Sequence, residues 1–444
     1  MVLIISKLRR KVKMKVTVNF ENVKGKIKPV HGVGQPPFVG CNFKYFSFLT
    51  EAGIPFARLH DVGGAYGGGR WVDIPNLFRD FSRDPEDESA YDFTFTDLLI
   101  KALVDSGVEP FFRLGVTIEN QCYIKAYRIF PPEDNMKWAR ICEHVIRHYT
   151  EGWANGFHYN IRYWEIWNEP DNHYKIERNQ MWHGTKEQFF ELYNVASKHL
   201  KACFPHLKIG GYASCGFYSI TNSFLSISNS SEYLEYFTNF FNDFLKYVKE
   251  NNCPMDFFSW HTYDDVKHDI IYANYARRRL DEEGFTDVET SLNEWNMEID
   301  LRGTAKHAAM ICANILSMQN LPVDTAMFYD ARLGTSKYGS LFDPMSNTPF
   351  PAYYGFKAFN ELYKLGTQVE LSLDTEELYA VAARDGEAGC IVIANPTDED
   401  EPLEFSTPVH ITECYITCEG RCEEKTEAPA TVPKNSFLTF KVNL

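Results

Sequence analysis

The chain has 444 residues, a formal net charge of −15, 15% aromatic residues and eleven cysteines. Binding to phosphate backbones or anionic lipid depends on clustered Lys and Arg, so this acidic balance argues against a nucleic-acid partner and a membrane-surface partner. No run of about 18 apolar residues supplies a transmembrane helix. The cysteines, odd in number and scattered through apolar segments, read as reduced thiols in a cytoplasmic protein.

Residues 1–13 form a basic leader, expected to be disordered. Its cluster around Arg9 and Arg10 follows the short apolar stretch Val2 to Ile5, the reverse of the order in a secretory signal, and Met14 is a candidate start. Within 14–29, Val16 to Phe20 is strand-like and is expected to join a C-terminal β module. From 30 to 362, short apolar runs alternate with long amphipathic stretches, the pattern of repeated βα units. Eight strands are expected, at His31 to Gly34, Phe56 to His60, Pro110 to Leu114, Tyr163 to Trp167, Ile209 to Tyr212, Phe257 to His261, Thr290 to Asn293 and Thr325 to Tyr329. Eight parallel strands predict a closed (β/α)8 TIM barrel, an α/β fold.

Helical faces lie between these strands. Trp138, Ile141, Cys142, Val145 and Tyr149 share one stripe after Pro131-Pro132, and a capping box at Thr185 and Gln188 opens a second helix. Phe237, Phe240, Phe241, Phe244 and Val248 mark a third. In 363–444 the pattern changes to short runs divided by turn residues: Gln368 to Leu373, Leu378 to Ala383, Cys390 to Ala394, Ile411 to Cys418 and Ser436 to Val442. These predict an accessory β-sandwich. Cys414, Cys418 and Cys422 lack the close pairs of a zinc site.

Two barrel strands end in a Glu flanked by Trp and Asn. The run Tyr163-Trp164-Glu165-Ile166-Trp167-Asn168-Glu169-Pro170 closes the fourth, and Leu292-Asn293-Glu294-Trp295-Asn296 closes the seventh. Barrel enzymes carry their reacting groups at the C-terminal ends of strands, and cleavage of a glycosidic bond takes two carboxyl groups in different protonation states. Glu169 and Glu294 are therefore the candidate catalytic pair. Glu165, inside its strand, reads as a structural barrel residue. Arg58, inside the second strand, needs a nearby carboxylate to be tolerated there. The Gly-rich stretch Gly63 to Arg70 lacks the Lys-Ser/Thr ending of a phosphate loop; Tyr66, Arg70 and Trp71 could reach substrate from it.

The run Tyr163 to Asp171, with Ile146 to Tyr149, Ser259-Trp260-His261-Thr262-Tyr263 and Glu294-Trp295-Asn296, resembles glycoside hydrolase family 39 of the retaining clan A glycosidases. The resemblance spans the barrel and is strongest from Trp138 to Asn296. It implies an acid/base role for Glu169, a nucleophile role for Glu294, and a hydrogen bond from Asn168 to the sugar 2-hydroxyl. It further implies that His261 and Tyr263 hold the nucleophile and ring hydroxyls, that Arg58 keeps Glu294 ionised, and that His60 contacts the sugar. Clan members commonly carry a Trp platform after strand eight, where this chain has Phe328-Tyr329-Asp330, so Tyr329 would contact substrate in its place. The family's characterised members include β-xylosidases and α-L-iduronidases. A carbohydrate substrate, probed first as xylosides with exo-acting cleavage, is the expectation, with no metal and no organic cofactor; the oligomeric state is left open. The rivals are a clan A enzyme of another sugar specificity, a barrel that binds carbohydrate without cleaving it, and a metal-dependent hydrolase, which would need a His-x-His after strand one that this sequence lacks.

Overall fold

In the computed structural model of the chain, residues 13–37, 45–60, 62, 72–117, 129–223, 231–332 and 338–444 are described. They fall into two compact units, one made of 28–300 with 318–350, the other of the N-terminal segment to Ile27 with 301–317 and 351–444.

After β1 (Met14–Lys26), the strands β2 (Gly32–Gly34), β3 (Phe56–Leu59), β4 (Glu109–Leu114), β5 (Tyr163–Ile166), β6 (Lys208–Ser214), β7 (Phe257–Thr262), β8 (Glu289–Trp295) and β9 (Thr325–Phe328) form a closed barrel in sequence order. β2 and β9 pair in parallel and close the ring. All eight expected barrel strands are present, each within a few residues of its expected bounds. The helices form as their caps dictate. Asp134 accepts hydrogen bonds from the backbone N–H groups of Met136 and Lys137 at the start of Asn135–Thr150. The box at Thr185 and Gln188 is complete on both arms ahead of Lys186–Cys203.

Side chains alternate along a strand, so inward positions recur every two residues and stack in layers across the barrel. The lower layer is apolar: Phe56, Phe111, Tyr163, Phe257 and Met327 form one buried cluster. Two residues further along each of four strands stand Arg58, Arg113, Glu165 and Ser259, all buried. The barrel is thus lined by packed rings in its lower layer and by charged side chains above it, toward the strand ends.

The second unit contains β1 and the strands β10 (Thr367–Leu373), β11 (Tyr379–Asp385), β12 (Ala388–Asn395), β13 (Glu401–Phe405), β14 (His410–Cys418), β15 (Arg421–Thr426), β16 (Thr431–Val432) and β17 (Ser436–Asn443). They make one sheet in the order β15-β14-β17-β12-β11-β10-β1-β13-β16. Leu403 of β13 and Ile416 of β14, from opposite halves of that order, share one buried cluster with Val16, Ile391 and Phe440. Only a sheet curled onto itself as a β-sandwich can bring them together. β1 lies inside this sheet, antiparallel to β10 and parallel to β13.

Phe111 carries much of the lower barrel layer, with its ring 5.0 Å from Tyr163 and 5.2 Å from Phe257. Phe111→Ala should cost about 3–5 kcal/mol through the cavity it leaves. The check is the urea unfolding midpoint; an unchanged midpoint would mean that this layer is not a packed core.

Candidate active site

The upper layer is organised by Arg58 of β3, which is 1% exposed. Its Nε donates to Glu165 Oε2 at 2.8 Å, its Nη1 to Glu294 Oε2 at 3.1 Å, and its Nη2 to Asn168 Oδ1 at 2.6 Å. Burial opposes the guanidinium charge, but the attraction of Glu165 and Glu294 outweighs it and raises the pKa. Glu165 also accepts from Ser259 Oγ at 2.5 Å and from Asn293 Nδ2. A carboxylate satisfied from three sides inside the barrel wall fits the structural reading of Glu165.

Glu294 stands on β8, 6% exposed. Its Oε1 accepts from the Tyr263 hydroxyl at 2.5 Å and its Oε2 faces Arg58. Opposite Glu294 on β7 is His261, and the register slips between Trp260–Leu292 and His261–Glu294, leaving Asn293 as the extra residue. Such a bulge breaks the alternation of faces. It lets neighbours Asn293 and Glu294 both reach into the barrel, the first to Glu165 and the second to Arg58.

Glu169 lies beyond the end of β5, on a chain segment in which Trp167 (φ 75°) and Glu169 (φ 44°) adopt the left-handed region. Non-glycine residues pay about 1–2 kcal/mol there, a form of strain that gathers at functional sites. The glycine at 115 allows the tight passage: a Cβ on it would lie 3.1 Å from Trp167 Cα. The Glu169 carboxyl is held at both oxygens, Oε2 by Asn172 Nδ2 at 3.0 Å and Oε1 by His261 Nδ1 at 2.8 Å.

His261 lies between the two candidate carboxyls, with Nε2 3.7 Å from Glu294 Oε2. It sits closer to Glu169 than to Glu294, whereas the sequence reading places it with the nucleophile. Burial pushes its imidazole down to about 4, against the pull of Glu294, so the ring is neutral near pH 7. Burial raises both carboxyl pKa values. Their mutual repulsion adds to the rise at Glu294, whereas Asn172 and Arg58 oppose it at Glu169, and His261, Arg58 and Tyr263 oppose it at Glu294.

The remaining expected residues lie around this centre. His60 is buried and kept neutral, first by burial and then by Arg113 and Arg58. The Tyr329 hydroxyl accepts from Gln35 Nε2, and its ring stands 6.3 Å from that of Tyr263. Tyr66, Arg70 and Trp71 lie outside the described residues. Sequence reasoning missed Asn172, Gln35 and Asp171. Asp171 accepts from Ser214 Oγ at 2.8 Å and from the Cys215 backbone N–H at 3.2 Å, anchoring the segment that carries Glu169. Burial, with the nearby charge of Glu169, raises its pKa to about 7. Asp171 ends the run that carries the family resemblance, Asn172 follows it, and Gln35 follows the first barrel strand; position alone says nothing of what their side chains bond.

Glu169, His261 and Glu294 each present a ligand atom, all within 4.8 Å of one another, a spacing that a metal ion could bridge. The guanidinium of Arg58 already supplies positive charge beside Glu294, which lowers the electrostatic demand for such an ion. Two carboxyls facing each other across a neutral ring, backed by a fixed cation, can act as a proton donor and a nucleophile or base.

The model of Glycosyl hydrolases family 39 matches residues 69–328. A β-xylosidase of Geobacillus stearothermophilus is 24% identical over 396 residues, covering 79% of this chain and 72% of that protein. A β-xylosidase of Caldicellulosiruptor saccharolyticus is 22% identical over 426 residues, covering 87% and 78%. Among solved structures, a glucosidase from Croceicoccus marinus superposes with a TM-score of 0.77 at 20% identity, over 98% of this chain and 99% of that one. A GH39 β-xylosidase from Caulobacter crescentus gives 0.69 at 16% identity, over 96% and 99%. These two likenesses speak for the fold.

The raised pKa of Asp171 has a thermodynamic consequence. Between its ordinary value of 3.8 and about 7, the folded chain keeps the Asp171 proton while the unfolded chain releases it, so folding stability falls as pH rises through that window. Relative to Asp171→Asn, the parent protein should lose melting temperature from pH about 4 to about 7 and run parallel to it above. Parallel curves throughout would refute the buried, protonated state.

Proposed function

The chain belongs to glycosyl hydrolases family 39 and is a glycoside hydrolase, and from that premise we propose that it cleaves β-xylosides by double displacement with retention at the anomeric carbon. The observation that supports retention is that one carboxyl oxygen of Glu169 and one of Glu294 lie no more than 4.8 Å apart, with the His261 ring contacting both residues. Retaining pairs stand about 5–5.5 Å apart, whereas inverting pairs stand about 6.5–9.5 Å apart to admit a water molecule.

In this reading Glu294 attacks the anomeric carbon while Glu169 delivers its proton to the departing glycosidic oxygen. A covalent glycosyl ester on Glu294 results. Glu169, now ionised, takes a proton from water as that water displaces Glu294, which restores both groups. Burial favours the protonated form of Glu169 for the first step. Arg58 and the Tyr263 hydroxyl favour the ionised form of Glu294. Asn168 gives its carbonyl oxygen to Arg58, which directs its amide hydrogens toward a sugar hydroxyl. His60 and Tyr329 complete the set proposed to touch sugar.

A xyloside is favoured because the relatives from Geobacillus stearothermophilus and Caldicellulosiruptor saccharolyticus are named β-xylosidases. Exo-acting removal of a terminal sugar is part of the same proposal. No helix of the described residues is long and apolar enough to cross a membrane. The nine described cysteines are free thiols, which supports a cytoplasmic location.

Glu294→Gln should lower kcat on aryl β-xylosides by orders of magnitude. Glu169→Gln should do so for poor leaving groups and far less for acidic phenols, which depart without a proton donor. Chelators should leave turnover unchanged, and NMR should show the β-anomer of xylose as first product. The α-anomer as first product, or an activity that survives both substitutions and falls to chelation, would overturn the reading.

A further inference from the structure

Away from the barrel, the sheet unit holds a cavity of about 280 Å³ between the helix Tyr353–Leu365 and the strands β14, β15 and β17. Tyr354, Glu361, Tyr415, Thr417, Glu423 and Lys441 line it. The volume falls just below the range of about 300–1,000 Å³ typical of small-molecule sites, which suits a ligand of one or two small rings.

The charges in the cavity are paired within the protein. Lys441 Nζ lies 2.9 Å from Glu361 Oε2, and Lys357 Nζ lies 2.5 Å from Glu423 Oε2. An anionic ligand would find its cations already engaged and two carboxylates beside it. A cationic ligand would have to compete with lysines that are part of the fold. What the cavity offers is neutral recognition: carboxylate oxygens that accept from hydroxyls, a lysine and a threonine hydroxyl that donate, and two phenol rings.

The lining also discriminates against a purely apolar ligand, since polar groups covered by hydrocarbon lose their hydrogen bonds to water. A ligand that places hydroxyls against the carboxylates and C–H surface against tyrosine satisfies both kinds of wall. The polar frame is fixed before any ligand arrives: Lys441 bonds Glu361 while its ammonium stands 5.6 Å from the centre of the Tyr415 ring. A rigid frame lowers the ordering cost of binding.

We propose that this cavity is a non-catalytic glycan-binding site, taking one or two neutral sugar residues of a polysaccharide chain. It lies wholly within the sheet unit and uses none of the residues assigned to cleavage. The glycoside hydrolase family guides only the choice of probe.

The test is affinity electrophoresis of the full chain in gels containing arabinoxylan or mixed-linkage β-glucan, both neutral polymers. The parent and Glu294→Gln should be retarded alike, because retention comes from the cavity. Tyr415→Ala should weaken retention about tenfold or more while kcat/KM on an aryl glycoside stays at the parent value. Glu361→Gln, a near-isosteric change, repeats the test should Tyr415→Ala fold poorly. Free migration of the parent in both gels, or full retention of both variants, would overturn the proposal. Retention without any turnover would instead count against the proposed cleavage and leave the cavity assignment standing.

Discussion

The upper half of the barrel depends on one buried guanidinium. Arg58 is shut away from water, and a buried charge of this kind is tolerated only with close, well-aligned partners. Its donors form a rigid fork, so satisfying it fixes Glu165 in the wall, Asn168 at the end of β5 and Glu294 on β8 in one step. A single side chain from β3 thereby ties the strand ends that carry the polar groups of the candidate site. Loss of Arg58 would leave two carboxylates buried without their main counter-charge, so folding and the placement of Glu294 cannot be separated there.

The charge balance around that fork bears on protonation. Glu165, Glu169 and Glu294 gather around one permanent cation, with His261 and His60 both pushed toward the neutral form by burial. Arg113, the other cation of the same layer, is engaged by Asp73 at 2.7 Å. Two further negative charges would then lack full compensation, and a buried site relieves such an excess by holding a proton. The upward shifts of Glu169 and Glu294 express that relief. The contacts divide the two carboxyls: Glu294 meets a fixed cation and a phenol donor, whereas Glu169 meets an amide and an imidazole that is neutral. A proton is therefore less opposed on Glu169, the assignment on which the proposed reaction rests.

The barrel was legible in the sequence because strands buried on both faces are nearly continuous apolar runs, as in Pro110 to Leu114 and Phe257 to His261. The helices were legible from stripes and caps, with Thr185 and Gln188 as the clearest case. Three strands of the sheet were not. β15 reads Arg-Cys-Glu-Glu-Lys-Thr and lies at one edge with most of its side chains at least partly exposed, where charge protects an unpaired backbone and erases apolar alternation. β13 contains Pro402, and β16 at the other edge has two residues. Both fall below what periodicity can resolve.

Within the candidate site, the glutamates were visible because a carboxylate after an apolar run is conspicuous. The groups that hold them were not, because the backbone there leaves the regular periods on which sequence patterns depend. The slip at Asn293 sends two adjacent residues of β8 toward the same interior, which strict alternation forbids. The positive φ angles at Trp167 and Glu169 turn the chain after β5, so that Asn172, three residues on, closes back onto the carboxyl it follows. Both departures serve one geometric end. A regular pair of strands would present one side chain per layer, whereas facing carboxyls, an imidazole between them and a guanidinium behind them must converge within a few ångströms. Irregular backbone is what lets so dense a polar cluster form above an apolar barrel floor.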